Sequence, residues 1–124
     1  MSVIRGTVNA RTEATIPVRI MGFDGIAIEV NAIRDTGFTG SLTLPESFIL
    51  SLGLSRRAGS TALLADGSSK SFGVYAAQVE WDGLLRQVLV FAMGGEAFLG
   101  MRLLTGYELR IEVTDGGVVE LDKL

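Results

Sequence analysis

The 124-residue chain has no cysteine and no histidine. Their absence removes thiol nucleophiles, disulfides, thiolate or imidazole metal ligands, and every serine hydrolase whose general base is an imidazole. Acid and base chemistry near neutral pH therefore falls to carboxylates, tyrosines or a displaced lysine. Lysine is scarce as well. Lys70 lies in the polar run Ser68-Ser69-Lys70-Ser71 and Lys123 lies next to the C-terminus, both positions where an amine stays solvated.

Neither sign of charge dominates. The 11 basic and 14 acidic residues are scattered to a net -3, with no basic stripe to attract phosphates, so nucleic acid is not an expected partner. No basic-then-apolar leader is seen, and no apolar run approaches the ~20 residues that span a bilayer, so a soluble, cytoplasmic protein with no membrane partner is expected. What remains is apolar. Hydrophobic residues make up 48% of the chain and the mean hydropathy is +0.40, enough for the core of a single domain over residues 1–124, with apolar surface left for a partner subunit.

Short β-rich runs recur along the chain. A first strand is expected over Ser2 to Asn9, weakened by Gly6. Ala14 to Met21 and Ile26 to Ile33 flank Asp24-Gly25 as a hairpin, and Pro17 marks its first strand as an edge strand. Arg56 to Ser60 reads as a polar connection. Thr61 to Ala65 and Phe72 to Tyr75 then flank a polar tip at Asp66-Gly67, Ala76 to Trp81 and Leu84 to Phe91 flank Asp82-Gly83, and Leu109 to Val113 and Val118 to Leu121 flank Asp115-Gly116. Two short helices are expected. Pro45 to Gly53 has proline and Glu46 at the start, Phe48, Ile49 and Leu52 on one face, and glycine at the stop; Met101 to Leu104 is a single turn that Gly106 closes. Short strands with few helices indicate an all-β barrel or sandwich.

Four of the six aspartates stand in Asp-Gly pairs between β-rich runs, where their role is turn chemistry. Asp35 differs. It follows the apolar run Ile26 to Ile33 and opens Asp35-Thr36-Gly37-Phe38-Thr39-Gly40-Ser41-Leu42-Thr43-Leu44-Pro45, which leads into a loop and helix. A carboxylate leaving water costs several kcal/mol unless hydrogen bonds or a proton compensate it. Gly37 and Gly40 allow the backbone to fold donors back around it. No Gly-x-x-x-x-Gly-Lys-Ser/Thr pattern accompanies these glycines, so a phosphate cradle is not expected.

This run, with Phe98-Leu99-Gly100-Met101-Arg102-Leu103-Leu104 placed 63 residues after Asp35, resembles the retropepsin-type aspartic proteases, and most of all their small bacterial members. The likeness extends from about Pro17 to Leu121. It implies an acid-protease β-barrel that works as a homodimer, each chain contributing one Asp-Thr-Gly to an active site on the two-fold axis, with no metal or organic cofactor. The implied catalytic residues are Asp35, Thr36 and Gly37. Thr36 would bond across the axis and Gly37 would let substrate approach. The hairpin from about Ala62 to Phe72 resembles the flap, so Ala65, Asp66, Gly67 and Ser68 are implied substrate contacts, together with Phe38 and Phe98. The segment from 109 to 121 resembles the strands of the dimer sheet, and the implied substrate is a peptide or unfolded protein.

The chain departs from the family at three places. Arg34, before the catalytic aspartate, replaces an apolar residue and either faces outward or stabilises ionised Asp35. The arginine that retroviral members carry after the glycine is Met101, and the acidic residue it pairs with is Thr39; both halves of that ion pair are missing together. Arg34 also favours a reading without catalysis, a peptide-binding or dimerisation module with the same fold. A monomeric all-β barrel for a small ligand is the third option. Trp81 and Tyr75 read as core residues or as stacking groups, Met93 to Glu96 as a substrate wall or a plain turn, and Arg56-Arg57 as a solvated loop.

Overall fold

Asp-Gly turns set the frame of the protein. The computed structural model describes residues 3–124, an all-β chain of ten strands and two short helices. The strands are β1 (Val3–Val8), β2 (Ala14–Met21), β3 (Ala27–Arg34), β4 (Leu42–Leu44), β5 (Ser55–Leu63), β6 (Ser69–Trp81), β7 (Leu84–Ala92), β8 (Phe98–Leu99), β9 (Tyr107–Ile111) and β10 (Val118–Lys123). Helix α1 spans Glu46–Leu52 and α2 spans Met101–Leu104. Asp24, Asp66, Asp82 and Asp115 all stand in the turns expected of them. At the β6–β7 turn Asp82 and Gly83 take φ values of 55° and 77°, the left-handed pair that matches the twist of a tight hairpin.

The strands are ordered β5-β6-β7-β4-β8-β3-β2-β1-β10-β9, and β2 also pairs with β6. Strands β2, β3, β8, β4, β7 and β6 thereby form a closed circuit of hydrogen-bonded ladders. Most of these are antiparallel, but β3 with β8 and β4 with β7 are parallel. The circuit encloses Ile16, Val18, Ile20, Ala32, Leu42, Leu44, Val79, Val90 and Leu99, all without solvent contact. Burying each large aliphatic side chain is worth about 1.5–3 kcal/mol, so this enclosed set is what holds the strands in register. Ile49 and Leu52 of α1 join the same core, and Gly53 ends that helix in the left-handed conformation at φ 65°.

Several expectations need correction. Pro17 is not on an edge strand, because β2 is paired on both sides. Its second side is shared between β1, which pairs at Ala14 and Thr15, and β6, which pairs from Arg19 to Met21. Pro17 falls in the gap between them, where a residue without an amide hydrogen fits an otherwise paired strand. The stretch from Arg56 to Ser60 is part of β5 and not a connection, and β6 is one strand of 13 residues serving both neighbouring hairpins. The first strand begins at Val3 among the described residues, and Ser2 lies outside them. Gly6 in that strand has a packing reason: a Cβ there would collide with the carbonyl of Thr15 on β2.

Trp81 is a core residue, packed edge-on to Tyr107 at 6.2 Å between ring centroids, and Tyr75 is half-buried against the core. Among the described residues, no helix is long and apolar enough to cross a membrane.

Candidate functional site

Asp35 sits where β3 ends. The last residues of β3 pair in parallel with β8, Ile33 with Phe98 and Arg34 with Leu99, and the amide of Asp35 donates to the carbonyl of Leu99 at 2.9 Å. The chain then turns sharply. The amide of Gly37 donates to Oδ1 of Asp35 at 3.0 Å and the amide of Phe38 to the carbonyl of Asp35 at 3.2 Å. One carboxylate oxygen is thus fixed by its own loop.

Three further backbone bonds tie this loop to the start of α2. Met101 donates to the carbonyl of Phe38 at 2.8 Å, Arg102 to Gly40 at 3.1 Å, and Gly100 to Ser41 at 2.9 Å. Such close backbone contact needs glycine at position 100, and the Phe38 ring leaves little room for a side chain at Gly40. A Cβ on Gly100 would collide with the carbonyl of Gly40 and stand 2.8 Å from that of Phe38, and one on Gly40 would meet the Phe38 ring at 2.5 Å. Below the loop, the buried hydroxyl of Thr43 accepts the amide of Phe98 at 3.1 Å. Two segments far apart in sequence therefore behave as one rigid unit around Asp35.

Asp35 is half-buried, while Thr36 and Gly37 are exposed. Among the described residues Thr36 makes no side-chain hydrogen bond and Asp35 no ion pair. Arg34 does not pair with Asp35 within 4.0 Å either. It shares the inward face of β3 with Ala32, and its buried Nε has no hydrogen-bond partner among the described residues.

The turn from Leu64 to Ser68 joins β5 to β6 and is exposed throughout. Ser68 donates its amide and its hydroxyl to Oδ1 of Asp66, at 2.9 and 2.5 Å, and these bonds hold the Asp66 carboxyl below the usual aspartate range, the hydroxyl contributing most. No hydrogen bond or ring contact joins Ala65, Asp66, Gly67 or Ser68 to Asp35 or Phe98. The ribbon is linked to the aspartate loop at its base instead. Phe72 on β6 packs on Phe91 of β7 at 5.2 Å, and Phe91 meets Phe38 at 5.6 Å. Of the implied substrate contacts, Phe38 is thus occupied by packing, Phe98 is half-buried in β8, and the four turn residues are exposed at the ribbon tip, with Asp66 and Ser68 bonded to each other.

Two residues given no role from sequence, Phe72 and Phe91, pack beside the loop, whereas Thr43 belongs to the run that opens at Asp35. Phe72 and Phe91 sit at unremarkable places in β-rich runs, and only long-range pairing brings them to Phe38. Two depressions open beside the loop. One of about 480 Å³ is lined by Thr36, Thr39, Met101, Leu104, Tyr107 and Leu109. A larger one, about 850 Å³, lies against Thr39, Gly40 and Ser41. Burial raises the Tyr107 hydroxyl above the usual tyrosine range, helped by its 2.7 Å bond to Asp82. Among the described residues no group of three or more acidic side chains converges as a metal site would need. Protein-family models give no match to the chain, and neither do curated proteins.

Proposed function

We propose that the chain is a retropepsin-like aspartic endopeptidase of the acid-protease β-barrel type, acting as a homodimer with one Asp35 from each protomer. The observation that carries this reading is the union of the two sequence segments behind the resemblance: the loop that begins at Asp35 is bonded through Asp35, Phe38, Gly40 and Ser41 to Leu99, Met101, Arg102 and Gly100 in turn. The closed circuit of strands and the β5–β6 ribbon at one end of the sheet order fit the same reading.

One chain supplies one carboxyl, and cleaving a peptide with water requires two. One must take a proton from the water while the other donates to the carbonyl oxygen. Two carboxyls about 3 Å apart cannot both be ionised, so a pair sharing a proton fills both roles. That pair titrates as a unit, with neither Asp35 assigned as acid or base at rest. The exposed, unbonded Thr36 is suited to bond across the axis, and the depression beside it, with Met101 46% exposed, is suited to receive the second protomer. The substrate would lie extended between ribbon and loop, paired through its main chain.

A second reading, a silent peptide-binding module with this fold, is favoured by Arg34, whose buried Nε lacks a partner. Cleavage of an unfolded protein across a pH series, by concentrated wild type beside Asp35→Asn, separates the two. The protease reading expects a bell-shaped profile on the acid side of neutral, loss in Asp35→Asn, and activity that falls on dilution as the dimer dissociates. Equal cleavage by both proteins, or none by a folded wild-type dimer, overturns it, and in the second case Arg34→Val tests whether the arginine is what silences the site.

A further inference from the structure

Arg56 and Arg57 are consecutive on β5, yet they serve different grooves. Arg56 lines a depression with Glu46 and Tyr75, whereas Arg57 lines the 850 Å³ groove beside the aspartate loop. Neighbours on a strand face opposite ways, and here the β5–β6 ladder also slips. Arg56 pairs with Tyr75 and Ala58 with Val74, leaving Arg57 as the extra residue of a bulge, and a bulge redirects the side chain it carries.

Arg57 enters a groove that already holds Arg86 from β7 and Arg102 from α2, and no carboxylate lines it. Arg57 and Arg102 are exposed and take part in none of the ion pairs among the described residues. Arg86 is half-buried, close enough to Tyr107 for its charge to act on that hydroxyl. Arg86 shares the Tyr107 hydroxyl with the carboxylate of Asp82, whereas Arg57 and Arg102 bring two exposed like charges to one groove, an arrangement that repels and does nothing for stability. They do suit a carboxylate, which a guanidinium grips through two parallel bonds. Leu89 and Phe91 supply apolar wall, and a groove of this volume accepts one or two side chains.

Thr39, Gly40 and Ser41 form the near wall, and they continue the loop that begins at Asp35. A strand laid along that loop passes from the aspartate into the arginine groove. We propose that the groove binds aspartate or glutamate side chains of the substrate, outside the bond that is cut, and so directs the site to acidic segments of extended polypeptide. This deepens the endopeptidase reading and rests on it for the consequence, though not for the binding.

The test uses two labelled peptides that differ only in carrying glutamates or glutamines along the segment flanking a common apolar centre. Their binding to the intact Asp35→Asn protein is measured by fluorescence anisotropy, and their cleavage by wild type as kcat/KM. The glutamate peptide is expected to bind about tenfold tighter at low ionic strength, a preference that shrinks as salt is added. In the Arg57→Gln/Arg102→Gln double variant, the ratio between the two peptides should fall to about one. Equal binding of the two peptides, or a ratio that survives the double substitution, overturns the proposal. The two readings also fail separately: acid-selective binding without cleavage removes the peptidase and keeps the groove, whereas cleavage of both peptides at equal rates keeps the peptidase and removes the groove.

Discussion

Phe38, three residues beyond Asp35, meets Phe91 of β7 edge-on, with ring centroids 5.6 Å apart and planes at 63°. Phe91 also packs on Phe72 of the ribbon. Beside the β6–β7 and β7–β4 ladders, the Phe91 ring is thus a side-chain link between the ribbon and the aspartate loop. Aromatic pairs contribute about 0.5–1.5 kcal/mol each beyond their buried area, so Phe91→Leu, which keeps the apolar bulk and removes both pairs, should cost about 1–3 kcal/mol. Amide exchange should accelerate at Phe72 and Gly73 while the β1–β10 ladder stays protected. Equal acceleration in both places would mean that Phe91 is a general core residue and not a link between ribbon and loop.

The bonds between the Asp35 loop and α2 depend on Gly100 having no side chain. Gly100→Ala would drive a Cβ into the carbonyls of Gly40 and Phe38, which cannot withdraw without breaking the bonds from Met101 and Arg102. Overpacking of this kind costs about 1–3 kcal/mol, and here the relaxation displaces Asp35 itself. Gly95→Ala is the control, because a Cβ there meets nothing within 4 Å. Denaturant midpoints should fall for Gly100→Ala and hold for Gly95→Ala, with peptide cleavage lost only in the former. A stable Gly100→Ala protein would show that the loop can be carried without this contact.

Local chemistry was legible in the sequence, and long-range pairing much less so. The Asp-Gly turns, the helix with Ile49 and Leu52 inward, and the single turn after Gly100 follow from spacing that neighbouring residues set alone. The end of β5 from Thr61 was expected, but its first part was hidden because the residues from Ser55 to Ser60 are all exposed and show no apolar alternation; pairing with β6, not burial, makes that part a strand. The boundary inside β6 was misplaced because nothing between Tyr75 and Ala76 breaks the chain in either direction. Pro17 misled for a related reason, since a gap between two partners looks locally like an edge. At the site, Asp35 stood out because, unlike the four Asp-Gly aspartates, it ends a strand and leads into a loop and helix. Phe91 and the bulged Arg57 did not stand out, because their roles are set by partners on other strands.

The pH range over which the ribbon tip stays ordered can be derived from Asp66. Its ionised carboxylate accepts both the hydroxyl and the amide of Ser68, and these bonds lower its affinity for a proton relative to the unfolded chain. A carboxyl depressed in this way contributes order that is fully present above the ordinary aspartate range and is lost as pH falls through its own, lower value. The tip should accordingly remain closed across most of the acid limb of any dyad profile and loosen only at its bottom. In wild type the Ser68 amide resonance should titrate with a midpoint below that of an unperturbed aspartate, with faster motion at Gly67 and Ser68 below it. Asp66→Asn keeps an acceptor for the Ser68 amide but cannot ionise, so the same resonance should be flat with pH. If catalysis requires the ordered tip, wild-type kcat/KM should drop at the lowest pH values relative to Asp66→Asn while the two agree near neutrality. A Ser68 midpoint at or above the ordinary aspartate value would mean that the carboxylate does not hold the turn.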